Sequence, residues 1–186
     1  HPCGELDDLL RNLQKGGIKP SEHRHRPFGQ SAIVGNQPFI IHQLLRHDSR
    51  DRLKLYELHP TDHKALVGNV AQLEAGRAIQ IKSEDGFEAL KALLPPPLSS
   101  SGSRRACVLL DPSYELKSDY ARVLDSVQDS LKRFATGTYL VWYPVIPRTE
   151  AHDLPRKLKL LCQPIKKPWL NATFAIGRAT GGDGNG

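Results

Sequence analysis

The sequence predicts an α/β fold, an open and doubly wound parallel sheet, from three observations. Short apolar runs of strand length alternate with amphipathic stretches of helix length through the middle of the chain. Three successive runs each end close to a carboxylate, at Glu57, Asp85 and Asp111. A helical stretch separates each run from the next, so right-handed crossovers bring all three strand ends to one edge. Open α/β sheets bind their ligands outside that edge.

The whole-chain properties agree with one globular domain. The 186 residues are 39% hydrophobic and 25% charged, enough for a real core. The expected domain covers residues 1–180, with 181–186 a flexible glycine-rich tail. A net charge of +6 makes an anionic partner plausible. No 18-residue apolar run is present, so no helical membrane span is expected. Cys3, Cys107 and Cys162 match no zinc or disulfide spacing, which points to a reducing, cytoplasmic setting. The chain has no methionine, even at position 1, and is read as processed or as a fragment of a longer protein.

Taken in order, Leu6, Leu9, Leu10 and Leu13 give a first helix over Glu5–Gln14, ended by Gly16-Gly17. His23 and His25 lie in a polar loop with Arg24 and Arg26 and have no evident third ligand, so a solvated loop outranks a metal site. Phe28–Gln37 is punctuated by glycine, and Pro38 suits the first turn of a helix running Phe39–Arg46. That helix start could receive an anion, although no Gly-x-Gly-x-x-Gly loop precedes it.

Arg52–Leu58 alternates as a strand and ends near Glu57; Thr61 or Asp62 can cap the helix that follows to about Leu73. An acidic residue in this place commonly accepts from ribose hydroxyls. Ala78–Lys82 is the next strand, and Phe87–Leu93 the next helix. Asp85 between them can accept from an adenine amine, with Gly86 permitting close backbone approach. Pro95–Ser103 is a connector into Cys107–Leu110, a buried-strand pattern that stops at Asp111-Pro112-Ser113-Tyr114. Pro112 cannot continue a ladder and holds Asp111 extended.

A carboxylate and a neighbouring carbonyl can both accept hydrogen bonds from an exocyclic amine and direct its lone pair outward. A following aromatic ring can stack on the base. Tyr120, Val123, Leu124, Val127 and Leu131 form a helical stripe ending in Lys132 and Arg133, and Tyr139–Tyr143 is a strand closed by Pro144. Leu158–Leu161 and Thr173–Ile176 read as two further strands. Arg156, Lys157, Lys159, Lys166, Lys167 and Arg178 make the last third basic, as a solvated face or a contact for RNA phosphate.

Several phrases together resemble one family. They are Tyr56-Glu57-Leu58-His59-Pro60-Thr61-Asp62, Asp85-Gly86-Phe87, Leu110-Asp111-Pro112-Ser113-Tyr114-Glu115, and Lys132–Tyr139 followed by Trp142-Tyr143-Pro144. In order and spacing, from about Phe28 to Ile146, they are similar to the large-subunit ribosomal RNA adenine-N6 methyltransferase J group. The resemblance implies a class I, Rossmann-like methyltransferase fold. It implies transfer of a methyl group from S-adenosylmethionine to an adenine N6 in 23S rRNA, with no metal and no membrane, by a monomer.

Residue by residue, the resemblance makes Asp111 the catalytic carboxylate, Pro112 the partner carbonyl and Tyr114 the stacking aromatic. Glu57 would bind the cofactor ribose, and Asp85 and Gly86 its adenine. Gln37 stands where the family has a serine in Pro-Gly-Ser-Pro, and Ser113 replaces a second proline. The family's His-rich opening and its Asp-Thr-His-Ala-Gly-Ala-Gly strand are absent. That strand belongs mid-sheet, so its absence should break the ladder there, with Ser31–Val34 the only local substitute. The rival readings are a catalytically inactive RNA-binding module and a DNA adenine-N6 methyltransferase.

Overall fold

Four short strands in two parallel pairs carry the architecture of the computed structural model, which describes residues 37–45, 51–99 and 102–174. In chain order the elements are α1 (Gln37–Leu44), β1 (Leu53–Tyr56), α2 (Pro60–Ala71), a 3-10 turn (Gly76–Ala78), β2 (Ile79–Lys82), α3 (Gly86–Leu93), β3 (Cys107–Leu110), α4 (Lys117–Arg133), β4 (Thr138–Val141) and α5 (Thr149–Cys162). The helix over Glu5–Gln14, the His23/His25 loop, Ser31–Val34, Arg178 and the Gly181–Gly186 tail lie outside the described residues.

β1 pairs in parallel with β2, Leu53 opposite Ile79 and Tyr56 opposite Lys82. β3 pairs in parallel with β4, Cys107 opposite Thr138 and Leu110 opposite Val141. Among the described residues no strand joins the two pairs. In a doubly wound sheet the first strand lies between the second and the fourth. Among the described residues the ladder is thus interrupted at the position that strand would fill.

The core is built on α4, whose stripe Tyr120, Val123, Val127 and Leu131 is buried. Leu90 and Leu94 pack on it from the α3 side, and Ala151 and Leu154 from α5. Val108, Leu110, Tyr139 and Val141 supply the inner face of the β3–β4 pair. The alternating residues Leu109 and Leu140 point the other way and are exposed. α4 ends at Arg133 with Phe134 as its cap, so Gly137, expected to break it, lies in the turn beyond, where a Cβ would lie 2.9 Å from Phe134 and 3.0 Å from the Tyr139 hydroxyl. That hydroxyl donates to the Phe134 carbonyl at 2.6 Å, closing the helix end.

One element departs from the sequence reading. Leu158–Leu161 is not a strand but the last part of α5. Lys157-Leu158-Lys159-Leu160 alternates locally, yet Ala151, Leu154, Leu158 and Leu161 recur at helical spacing and reach the core together. Thr173 and Phe174 lie in no strand among the described residues.

Candidate active site

The site begins where β3 ends. Leu110 is buried and Asp111 exposed. The Trp142 amide donates to the Leu110 carbonyl at 3.0 Å, the last rung of the β3–β4 ladder. Pro112, without an N–H, stops the pairing and turns the chain. Tyr114 then takes a left-handed backbone conformation, φ +55°. That is uncommon for a bulky residue and persists only where its surroundings fix it. Arg148, at the start of α5, supplies one restraint: its Nη1 donates to the carbonyls of Tyr114 at 3.0 Å and Glu115 at 3.4 Å.

The core supplies the other restraint. The Tyr114 ring is 3% exposed and lies 4.7 Å, centre to centre, from Tyr120. Burial first, then the nearby Asp111 carboxylate, pushes its phenol pKa well up. The ring expected to stack on a base is thus packed against the core in this structure.

Glu57 and Asp85 meet at the carboxyl edge of the β1–β2 pair. The Glu57 amide donates to the Lys82 carbonyl at 3.1 Å, and the Glu57 carboxylate accepts the His59 amide at 2.8 Å, fixing the turn into α2. Asp85 caps α3, accepting the Phe87 amide at 2.9 Å. Its other oxygen accepts from Arg122 of α4 at 2.6 Å, and the same guanidinium lies 4.3 Å from the centre of the Phe87 ring. Burial raises the Asp85 pKa. The Arg122 and Phe87 hydrogen bonds and the Arg122 charge outweigh it and hold the carboxyl below its usual range. Gly86 is tight for an internal reason: a Cβ there would lie 3.3 Å from that of Tyr56.

The structure thus brings Glu57, Asp85 and Gly86 together, and separately Asp111 and Pro112. Arg122 ties the β1–β2 end to the helix that follows the Asp111 turn. Gln37 opens α1, and its side chain lies outside the described residues. Sequence reasoning missed Arg122 and Arg148, which act across 37 and 34 residues of chain, with no local pattern to mark them.

Part of the basic C-terminal third is already engaged. Lys167 donates to the carbonyls of Ala135 at 2.7 Å and Gly137 at 2.8 Å, and Lys159 sits over the Trp169 ring. Among the described residues no group of three or more His, Cys, Asp or Glu could hold a metal ion. None of their helices is long and apolar enough to cross a membrane.

These acids suit the nucleoside end of a methyl donor. Each carboxylate oxygen has a second lone pair beyond its present bond, so Glu57 can accept from a hydroxyl and Asp85 from an amine.

The chain is similar to several known proteins. A family model described as "Ribosomal RNA large subunit methyltransferase D, RlmJ" matches residues 28–170. The chain is 44% identical over 122 residues to the Ribosomal RNA large subunit methyltransferase J of Haemophilus influenzae, covering 66% of this chain and 40% of that protein. It is 39% identical over 154 residues to the protein of the same name from Escherichia coli, covering 81% of this chain and 51% of the relative. It therefore spans about half the length, or less, of these relatives. A crystal structure of protein LPL1258 from Legionella pneumophila superposes with a TM-score of 0.55 at 34% identity, over 67% of this chain and 43% of that one. The parallel strands and intervening helices are those of a Rossmann-like methyltransferase fold. With the family match covering most of its length, the chain belongs to the RlmJ family of ribosomal RNA large subunit methyltransferases.

Proposed function

We propose that this chain carries the catalytic edge of an enzyme that methylates N6 of an adenine in 23S rRNA, with S-adenosylmethionine as donor. The observation that carries the reading is Asp111, exposed directly after the buried Leu110 at the end of β3, in a turn that Pro112 begins and Arg148 fixes. An adenine amine is a weak nucleophile because its lone pair is delocalised into the ring. The Asp111 carboxylate and the Pro112 carbonyl accept its two hydrogens and turn the lone pair outward. The proton that N6 loses passes to the Asp111 carboxylate and on to water, which the exposure of Asp111 allows. When bound, the cofactor supplies an electrophilic methyl group. Glu57 would hold its ribose and Asp85 its adenine amine, with Gln37 a further candidate contact. Holding amine and donor in line accounts for much of the acceleration.

The test is Asp111→Ala, measured for methyl transfer to unmodified 23S rRNA and, by calorimetry, for cofactor binding. Transfer should fall by about a hundredfold or more with cofactor affinity unchanged. Transfer at the parent rate in the variant would sink the role of Asp111. RNA binding by the parent chain with neither cofactor binding nor transfer would instead favour the non-catalytic module.

A further inference from the structure

We propose that Arg52, Lys54 and Arg77 form a second contact for RNA, a track for its phosphate backbone at the edge of the sheet opposite Asp111. This rests on the function proposed above and deepens it, by giving the RNA strand a hold remote from the reacting base. The three cations line one open groove of about 500 Å³, together with Gly76, Ile79 and Gln80.

Placement comes first. β1 and β2 are parallel, so Leu53 and Ile79 start side by side and Lys54 lies opposite Gln80. Arg52 and Lys54 are two residues apart on an extended chain, so they share a face and lie about 7 Å apart. Arg77, in the 3-10 turn, leads into β2 beside them. Arg52 and Glu57 flank β1 at its two ends, about 16 Å apart. Asp111 belongs to the Glu57 side. Arg122, early in α4, meets Asp85 just ahead of α3, and Arg133, at the end of α4, reaches the Lys91 carbonyl late in α3 at 3.5 Å. The two helices therefore run in the same direction, and the strands that lead into them end on the same side.

Charge comes next. All three side chains are exposed. Among the described residues none of them forms an ion pair, and Lys54 and Arg77 donate to nothing in the fold. Arg52 donates to the Asp51 carbonyl at 2.9 Å and keeps its other guanidinium hydrogens. Asp51 and Glu74, the acids nearest in the chain, do not line the groove. The basic C-terminal third is more fully committed. Arg156 and Lys157 pair with Asp153, Lys159 covers the Trp169 ring and Lys167 binds two carbonyls.

Cations in an open groove with no carboxylate to neutralise them suit the phosphates of a polyanion. Their spread over two strand starts fits successive phosphates of one strand better than a single small anion. A mononucleotide at Asp111 cannot reach this groove, whereas an RNA chain can touch both edges at once.

The experiment uses the whole 186-residue chain and labelled oligouridylate, whose bases lack the exocyclic amine that Asp111 would take. Fluorescence anisotropy gives the affinity as salt is raised. Lys54→Gln/Arg77→Gln should flatten the slope of log affinity against log salt by about 1.4, at ~0.7 for each single-strand phosphate contact. Lys64→Gln/Lys132→Gln removes the same charge from exposed positions outside the groove and should keep the parent slope. Lys54→Arg/Arg77→Lys should also keep it, and serves if the glutamine variant folds poorly. A parent slope in the groove variant, or equal flattening in both glutamine variants, would overturn the proposal. So would displacement of the RNA by inorganic phosphate at matched ionic strength, which would mark a small-anion site. Displacement by polyglutamate as readily as by unlabelled RNA would mark an acidic protein partner and overturn it too. With unmodified 23S rRNA, the groove variant should raise KM several-fold and leave kcat unchanged. The titration needs neither cofactor nor turnover. RNA held with the expected slopes by a chain that never methylates sinks the methyl-transfer reading alone. Parent slope and parent KM in the groove variant sink this inference alone.

Discussion

Asp85 serves two elements at once, capping α3 with one oxygen and holding Arg122 of α4 with the other. Its pKa in the fold lies below the usual carboxylate value, so the unfolded chain binds more protons near that range. The stabilisation is therefore complete at neutral pH and is lost as pH falls through the folded value. Replacing Arg122 by Gln should lower unfolding free energy at pH 7, and the gap to the parent should narrow below about pH 4. What remains in acid is the Arg122 contact with the Phe87 ring. Urea unfolding at several pH values measures this; a gap that stays constant from pH 7 to 3 would show that the Asp85 pair contributes nothing. Tyr114 shows the other face of the residue scale. Its hydroxyl and that of Tyr120 are buried without a protein partner, which is a cost to the fold. Tyr114→Phe should raise the unfolding free energy by about 1 kcal/mol, read from the same urea curves.

At the scale of elements, the instructive case is α5. Its lysines and leucines alternate over a few residues like a half-buried strand, and a local reading takes them for one. A helix wins because Ala151 and Leu154 upstream extend a helical stripe that α4 can cover. Leu154 is 2% exposed and Leu160 50%, so the two assignments predict different costs. Leu154→Ala should cost about 2–5 kcal/mol in chemical denaturation, and Leu160→Ala less than about 0.5 kcal/mol. Equal costs at the two positions would contradict the helical face. By contrast α2, α3 and α4 begin and end within a few residues of where caps, glycines and apolar stripes put them. Those signals are local, and each acts on the turn in which it occurs.

Across the whole molecule, burial is uneven. The buried core cluster runs from Leu90 to Leu154, whereas Val70 is the one buried apolar residue between positions 51 and 85. The β3–β4 pair contributes Leu110, Val108, Tyr139 and Val141 to the core cluster built on α4 and α5, whereas no residue of β1 or β2 belongs to that cluster. Stability should follow that division. Native-state hydrogen exchange is expected to be slowest in β3, β4 and α4, and faster in β1 and β2 by one to a few orders of magnitude. Uniform protection across all four strands would mean that the two pairs unfold as one unit.

The sequence by itself determined the α/β class, the order of strands and helices, and the place of Asp111 at a strand end. Each of these depends on apolar periodicity or on Pro112, and all are properties of neighbouring residues. Only the tertiary structure decided which side chains stand beside that carboxylate. The Tyr114 ring is buried beside Tyr120, strand register sets Leu110 opposite Val141, and Arg148 and Arg122 reach the site's turns from far along the chain. Register and long-range hydrogen bonds depend on how elements pack against each other, and no local pattern of residues encodes that.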